Sequence, residues 1–335
     1  MTRFLLRRIA QAALTIIVAV TLVFVAVRVI PGSPLRSRFG QHPNQAQIEA
    51  LEKKYGWDRP IYVQLGDFFW QLLTTGDFGK SLARTNVDVN AELRQRIPAT
   101  VELTLTACLL AIPLGVAAGT LSAVFRGRWT DRAVSILALL GLSVPVFFLG
   151  LVLRSVFTGL PTSQRLPPVA FFQFEPITDL YLVDTLLRGR FDLFWTAAEH
   201  LLLPALALST IPAAIVARIT RGSVLETLSA DYIRTAKAKG ASFLRIILRH
   251  ALPNAAVPIT NIAGLQIGLL LSGAVLTETV FDWPGLGQYL AAAVIRDKDY
   301  VAIQAAAIVI ATMFVSLNLL LDLLFVWLDP RIRLD

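Results

Sequence analysis

Long apolar runs without charged residues dominate the pattern of hydrophobic and polar positions along this chain. Six such runs occur, and they contain 19, 23, 21, 17, 27 and 21 residues. Each is close to the ~20 residues that an α-helix needs to cross the hydrocarbon core of a bilayer. The pattern therefore predicts an all-α polytopic membrane protein with six transmembrane helices. The runs are Ile9–Val27, Leu103–Phe125, Ala133–Leu153, Leu201–Ala217, Ala251–Thr277 and Val301–Leu321.

The segments that connect the runs differ greatly in length, and three of them are long. In the first, turn residues separate two predicted short helices, near Gln45–Tyr55 and Tyr62–Leu73. The second, 158–200, is rich in proline and aromatic residues, and the third, Glu278–Tyr300, contains the string FDWPGLG. Two interpretations explain so much ordered sequence outside the spans. It could dock an extracytoplasmic partner, or it could form a lid over the mouth of the membrane domain.

The distribution of basic residues predicts the orientation of the chain. If both termini are cytoplasmic, the cytoplasmic segments are 1–8, 126–132, 218–250 and 329–335, which carry 3, 3, 7 and 2 of the 31 Lys and Arg residues. The other 16 are spread over much longer outer segments, together with most of the acids. Since cytoplasmic loops carry an excess of Lys and Arg, we expect both termini in the cytoplasm and sizeable extracytoplasmic loops.

Prolines and polar residues within the runs point to a bundle that moves or lines a cavity. A proline removes a backbone hydrogen bond and kinks a helix, which a membrane tolerates where the freed group faces protein or water. Gln266 and Ser272 in the fifth run are candidate residues of a translocation path, because an amide in lipid is costly. Close helix packing is the alternative for the small residues of that run. The prolines are Pro113, Pro145, Pro204, Pro212 and Pro258.

Three ionisable residues lie near the ends of predicted spans. Arg28 ends the first span and Glu102 opens the second on the same side, so each is a candidate partner for the other. Asp322 lies near the inner end of the last span, where a basic residue of the cytoplasmic loop could pair with it. Structural ion pairing is the favoured interpretation of all three, and contact with a substrate is the alternative.

Residue patterns that support catalysis or metal binding do not occur. The string TTGDFGKS, Thr74–Ser81, departs from a phosphate-binding loop because Thr74 stands where that loop needs glycine. The single cysteine, Cys108, excludes an intrachain disulfide, and the three histidines lack metal-ligand spacing. We expect a non-catalytic chain without a metal or cofactor. A proton-coupled transporter is a weak alternative, because its candidate carboxylates, Glu102 and Asp322, lie near the membrane faces.

The segment 231–253, DYIRTAKAKGASFLRIILRHALP, is basic and amphipathic and lies between the fourth and fifth runs. Gly240 can adopt a positive φ and end a first helix there. Packing on anionic lipid explains the second helix that follows. It does not explain the first helix, because the small residues around Gly240 bury too little apolar area. The first helix therefore suits insertion into a groove of another protein. The second has one face of Phe243, Leu244, Ile247, Leu248 and Ala251, and another with Arg245 and Arg249.

This segment resembles the EAA loop of ABC importer permeases. Ala236, Gly240 and the pair Leu252-Pro253 stand at the spacing of that loop, whereas Arg234, Thr235 and His250 replace other residues of its pattern. The rest of the chain is similar to the dipeptide/oligopeptide/nickel permease family over nearly its whole length, and its 158–200 insert is most like the dipeptide branch. The matching strings are RVIPGSP (28–34), GDFGKS (76–81), IPATVELTL (97–105), DLYLVDTLLRG (179–189), LTETVFDWPGLG (276–287) and LDPRIR (328–333).

The resemblance implies a type I ABC importer permease fold in a bacterial or archaeal cytoplasmic (inner) membrane. Residues 1–97 would form the first span and an extracytoplasmic region. Residues 98–335 would form a five-helix core with a cytoplasmic coupling loop, 224–253, and the extracytoplasmic insert 158–200. The coupling residues implied are Asp231, Tyr232, Ala236, Lys237, Gly240 and Ala241.

The resemblance also implies partners and a substrate. The partners are a homologous second permease subunit (DppC-like), two ABC ATPase subunits (DppD/DppF-like) that bind ATP and Mg²⁺, and an extracytoplasmic solute-binding protein (DppA-like). Together they would move di- or oligopeptides inward by alternating access at the cost of ATP hydrolysis. Nickel, glutathione or another small solute is the alternative cargo.

Overall fold

The computed structural model describes residues 2–29, 56–84, 86–172 and 174–328, together with residues 46, 50, 52 and 53. These residues are mostly helical, and the described ranges contain no strand beyond an isolated antiparallel bridge between Lys80 and Asp88. π-Helical turns at Ile247–Ala251 and Ala293–Asp297 follow α10 and α13. The helices are α1 Thr2–Val29, α2 Ile61–Thr75, α3 Val89–Val124, α4 Trp129–Ser143, α5 Val146–Val156, α6 Pro168–Phe172, α7 Tyr181–Leu187, α8 Phe191–Ser229, α9 Asp231–Ala238, α10 Phe243–Ile246, α11 Leu252–Gly273, α12 Val275–Val280, α13 Leu286–Ala292 and α14 Tyr300–Leu328.

Five helices of the described residues are long and apolar enough to cross a membrane: α1, α3, α8, α14 and the helix Phe243–Leu271, which contains α10 and most of α11. The bent pair α4–α5 makes a sixth span if it is counted as one. The predicted all-α polytopic fold is therefore confirmed. Helices extend well beyond the charge-free runs, as in α8, whose 39 residues include charged turns at both ends.

The third predicted span is broken where the sequence places a proline. Val144 has an extended backbone (φ −81°, ψ 122°), Pro145 follows it, and α4 and α5 meet there at 104°. A proline disfavours the helical conformation of the residue before it and cannot donate a backbone hydrogen bond. The predicted kink at Pro145 is thus confirmed as a break. By contrast, helices continue through Pro204, Pro212 and Pro258.

The chain divides into two compact units, Met1–Thr100 with Trp283–Asp335 and Val101–Asp282. In the first unit α1 packs against α14. In the second unit α8 is the central helix, because α4, α5, α7 and α11 all pack against it.

Two glycines bring α3 close to α8 in the second unit. A Cβ atom at Gly115 would lie 2.8 Å from the carbonyl oxygen of Ala213, and one at Gly119 would lie 2.4 Å from that of Ala217. Real Cβ atoms do not approach backbone this closely, so only glycine fits at either position. The four-residue spacing of the pair is the small-xxx-small pattern of packed membrane helices.

The 158–200 insert is folded around a buried ion pair. Arg165 donates to Glu102 Oε2 at 2.6 Å and to the carbonyl of Asp179 at 2.6 Å, and both charged side chains are almost fully buried. The other oxygen of Glu102 accepts the N–H of Leu182 at 2.7 Å. The Arg165 guanidinium lies 3.6 Å from the ring centroid of Tyr181, whose pKa is raised by burial.

The predicted pairing of Arg28 with Glu102 is wrong. Arg28 donates to two amides, Gln64 at 2.8 Å and Gln304 at 3.0 Å, while the insert folds back and supplies Glu102 with Arg165. Asp322 is paired, but with Arg8 of α1 at 3.0 Å and not with the cytoplasmic loop, because α1 packs against α14.

The Glu278–Tyr300 segment buries three of its four aromatic residues, Phe281, Trp283 and Tyr289. Phe281 packs in a cluster with Leu203 and Ala207 of the second unit. In the first unit, the buried Trp283 donates its indole N–H to the carbonyl of Ala99 at 2.9 Å. These rings therefore stabilise the chain itself and are not offered to a partner.

Some sequence predictions fall partly or wholly outside the described residues. These are most of the helix near Gln45–Tyr55, all but the first two residues of the string 28–34, and the string 328–333 after its first residue. The helix predicted near Tyr62–Leu73 is confirmed as α2, Ile61–Thr75.

Candidate functional site

The helix α9 stands between two spanning helices with most of its surface in solvent. Ala230, whose backbone is extended (φ −71°, ψ 150°), ends α8, and α9 begins at the next residue. Ile233 is completely buried and anchors the helix, and its N–H bonds to the carbonyl of Ala230 at 3.1 Å. Of the predicted coupling residues, Asp231, Tyr232, Lys237 and Gly240 are exposed, and Ala236 and Ala241 are partly buried.

Gly240 ends this helix in the conformation that the sequence predicts. Its φ is +77°, in the left-handed region that glycine adopts without a steric penalty. The N–H of Gly240 bonds to the carbonyl of Lys237 at 3.0 Å, and that of Ala241 to the carbonyl of Ala236 at 3.1 Å. This pair of bonds is a Schellman motif. No atom lies within 4 Å of a Cβ built at Gly240, so the chain alone leaves the position open to a partner.

The apolar face predicted for the second half of the segment is divided in two. Ile247 and Ala251 are buried, as is the neighbouring Ile246, whereas the other members are exposed. The predicted face assumed regular α-helical spacing, whereas this half is the first part of the fifth spanning helix and includes a π-helical turn at Ile247–Ala251, where that spacing does not hold. The exposed members are Phe243, Leu244 and Leu248, and Tyr232 of α9 is exposed as well.

A polar cluster centred on the buried Asp131 holds α8 in place ten residues before the exposed helix α9. Arg221 binds Asp131 of α4 through two hydrogen bonds, of 2.7 and 2.9 Å. Asp131 also accepts from the Ser122 hydroxyl at 2.5 Å and the Gly127 N–H at 2.9 Å. A bidentate guanidinium–carboxylate pair fixes orientation as well as distance, so α3, α4 and α8 are tied together near the start of α9.

Sequence reasoning missed this Asp131–Arg221 pair. The signal available was one acid, Asp131, in the otherwise basic segment 126–132, and an arginine, Arg221, just past the inner end of the fourth predicted span. An apolar cluster lies in the same region and connects the ends of α3 and α8 to the start of α11. Its buried members are Ala123, Val224, Ala251, Ala255 and Ile259.

The two candidate path residues lie on α11. Gln266 is 5% exposed, so within this single chain its amide is enclosed and does not line an open passage. Ser272 belongs to the same helix, and its side chain lies outside the described part of the structure. Contact with a translocated solute at either residue stays a prediction.

These features define a class: an all-α polytopic membrane protein with a short exposed helix mounted between its fourth and fifth spans. Residues 111–334 match the family described as binding-protein-dependent transport system inner membrane component. Residues 1–104 match the N-terminal family of such membrane components. The chain belongs to this family of inner membrane components, as a multi-pass, non-catalytic membrane subunit.

Named relatives resemble the chain over nearly all its length. The dipeptide transport system permease protein DppB of Alkalihalophilus pseudofirmus is 42% identical, over 99% of this chain and all of that protein. The probable D,D-dipeptide transport system permease protein DdpB of Escherichia coli is 43% identical, over 92% of this chain and 91% of its own. The glutathione transport system permease protein GsiC of Salmonella choleraesuis is 35% identical over 99% of each chain.

A solved structure shares the fold. The inward-facing MetNI methionine ABC transporter matches with a TM-score of 0.53 at 17% identity, over 72% of this chain and 97% of the matched chain. The type I ABC importer permease fold expected from the sequence is thereby confirmed.

Proposed function

We propose that this chain is the permease subunit of an ATP-driven importer that carries di- or oligopeptides into the cytoplasm by alternating access. The observation that carries the coupling role is the exposed helix α9, anchored by Ile233 and closed by Gly240. The relatives named as dipeptide permeases support the substrate class. The residues assigned to coupling are Asp231, Tyr232, Ala236, Lys237, Gly240 and Ala241.

Energy would come from partner subunits. Two ATPases, which bind ATP and Mg²⁺, would receive α9 and its counterpart on a second permease. Their closure on ATP would draw the two coupling helices together and open the bundle outward. A solute-binding protein would then release peptide into the cavity, and hydrolysis would reset the inward-facing state. The predicted orientation, with both termini and α9 in the cytoplasm, places the coupling helix on the side where ATP is available.

The test of this role replaces Gly240 by aspartate. A side chain at this position strains the left-handed backbone and adds bulk and charge at an open surface, so Gly240→Asp should abolish uptake and uncouple ATP hydrolysis from delivered peptide. Gly76→Asp is the matched control. Gly76 also follows a helix with positive φ (+64°) and open space around it, but it lies after α2.

The measurement is peptide uptake and peptide-stimulated ATPase activity of the reconstituted complex. Equal loss in both glycine variants would assign the defect to folding. Normal uptake by the Gly240→Asp variant would refute docking at α9.

Glutathione is a second candidate cargo, and the observation that supports it is the 35% identity to a glutathione permease. Uptake of labelled dipeptide in the presence of excess glutathione or Ni²⁺ separates the two assignments. We expect competition by unlabelled dipeptides and none by glutathione or the metal ion.

A further inference from the structure

A cavity of about 360 Å³ lies beside the C-terminal end of α1, within the first compact unit. Its wall includes three cations, Arg28, Lys53 and Arg59, and one carboxylate, Asp67. Arg59 and Asp67 form an ion pair at 3.2 Å. Among the described residues, Arg28 and Lys53 have no carboxylate at ion-pair distance. The described lining residues therefore carry more positive than negative charge.

Arg28 is held in place by groups that do not neutralise it. Its Nε donates to Gln64 Oε1 at 2.8 Å and its Nη1 to Gln304 Oε1 at 3.0 Å. The Gln64 amide cannot turn over, because its Nε2 donates to the carbonyls of Trp57 at 3.2 Å and Arg59 at 2.8 Å. Two neutral amides thus fix the direction of the guanidinium and leave its charge intact.

Aromatic rings also pack against the guanidinium of Arg28. The guanidinium carbon is 3.4 Å from the ring centroid of Phe24 and 5.5 Å from that of Trp57, which itself stacks on Tyr300. Ring faces attract a cation without supplying a counter-ion. Since the two amides use only two of the five N–H donors of a guanidinium, the others are available to an acceptor. Planar paired donors of this kind suit an oxyanion.

We propose that this cavity binds the phosphate of a phospholipid headgroup. Arg28 lies one residue before the end of the spanning helix Leu6–Val29, which is the level of the headgroups in a bilayer. Phosphate is concentrated there, and Lys53 provides a second cation on the cavity wall. The carboxylate of a peptide offers the same oxyanion chemistry from a different source, and experiment can separate the two.

The experiment measures retention of lipid by the full-length protein purified in mild detergent. Phosphatidylglycerol is the probe, and a diacylglycerol glycolipid without phosphate is its comparison, with bound lipid counted by native mass spectrometry. We expect selective retention of phosphatidylglycerol and about a tenfold weaker affinity in Arg28→Gln, on the scale of one lost hydrogen bond to a charged group. Lys53→Gln, which leaves the Arg28 amide contacts untouched, should weaken binding as well.

Arg94→Gln is the matched control, because Arg94 is exposed in the same unit and does not line the cavity. Equal retention of the two lipids, or unchanged retention in Lys53→Gln and Arg28→Gln, would overturn the proposal. Displacement of phosphatidylglycerol by dialanine but not by dialanine amide would overturn the lipid source and assign the site to a peptide carboxylate. None of these readouts requires transport, so they can fail independently of the proposed importer function.

Discussion

At the scale of single residues, the Glu102–Arg165 pair decides whether the 158–200 insert keeps its fold. Removing one partner of a buried ion pair costs about 3–5 kcal/mol, because the remaining charge is left buried without compensation. Arg165→Gln should therefore release the insert, since Glu102 also holds the N–H of Leu182. Where cleavage follows the opened population, chymotrypsin should then cleave within 158–200 about a hundredfold to a few thousandfold faster.

The control for this prediction is a pair of the same chemistry in solvent. Arg190 binds Asp192 through two hydrogen bonds, of 2.9 and 2.8 Å, but both side chains are largely exposed. Exposed pairs contribute little to stability, although Asp192 raises the pKa of Arg190. Arg190→Gln should leave the cleavage rate near that of the parent protein. If Arg165→Gln behaves in the same way, the buried pair does not hold the insert.

At the scale of helices, the approach of α3 to α8 depends on Gly119. An alanine methyl there would lie 2.4 Å from the carbonyl oxygen of Ala217 and 2.7 Å from the Cβ of Thr220, and a backbone carbonyl cannot turn aside as a side chain can. Gly119→Ala should thus separate the helices at a cost of about 1–3 kcal/mol, as in other overpacked interiors. The measurement is unfolding of the detergent-solubilised chain by titration with SDS.

Gly222→Ala gives the matched comparison within α8. No atom lies within 4 Å of a Cβ built at Gly222, and its backbone is helical. Alanine favours a helix over glycine by up to about 1 kcal/mol, so this variant should be neutral or slightly more stable. Equal destabilisation by the two substitutions would contradict close packing at Gly119.

The sequence predicts the spanning helices well and their contacts poorly, for physical reasons. An apolar run of bilayer length requires a helix wherever it packs, and a proline such as Pro145 acts on its own neighbours. A contact depends on elements distant along the chain: Glu102 meets Arg165, 63 residues on, and Arg28 meets Gln304, 276 residues on. Gly240 was predictable because its role is local, whereas the enclosure of Gln266 depends on how its helix is rotated.

At the scale of the whole molecule, charge and fold together predict which surfaces face which side of the membrane. One spanning helix, α8, runs from the end of the 158–200 insert to α9, so the fold predicts that the two ends of this helix lie on opposite faces of the membrane. The excess of Lys and Arg predicts that α9 lies in the cytoplasm. The fold predicts the alternation of faces along the chain, and the charge distribution predicts its direction.

Two single cysteine substitutions test both predictions, the alternation of faces across α8 and the direction of that alternation. Arg188→Cys in the insert and Lys239→Cys after α9 each place a thiol at an exposed position. The native Cys108 is buried within the spanning helix α3, so it should contribute little background. In intact spheroplasts a membrane-impermeant maleimide should label Arg188→Cys and spare Lys239→Cys, and in inverted vesicles the preference should reverse. Labelling of both from one face would break the assignment of α8 as a span. Labelling with the two faces exchanged would keep that span, contradict the predicted orientation and place α9 away from cytosolic ATP.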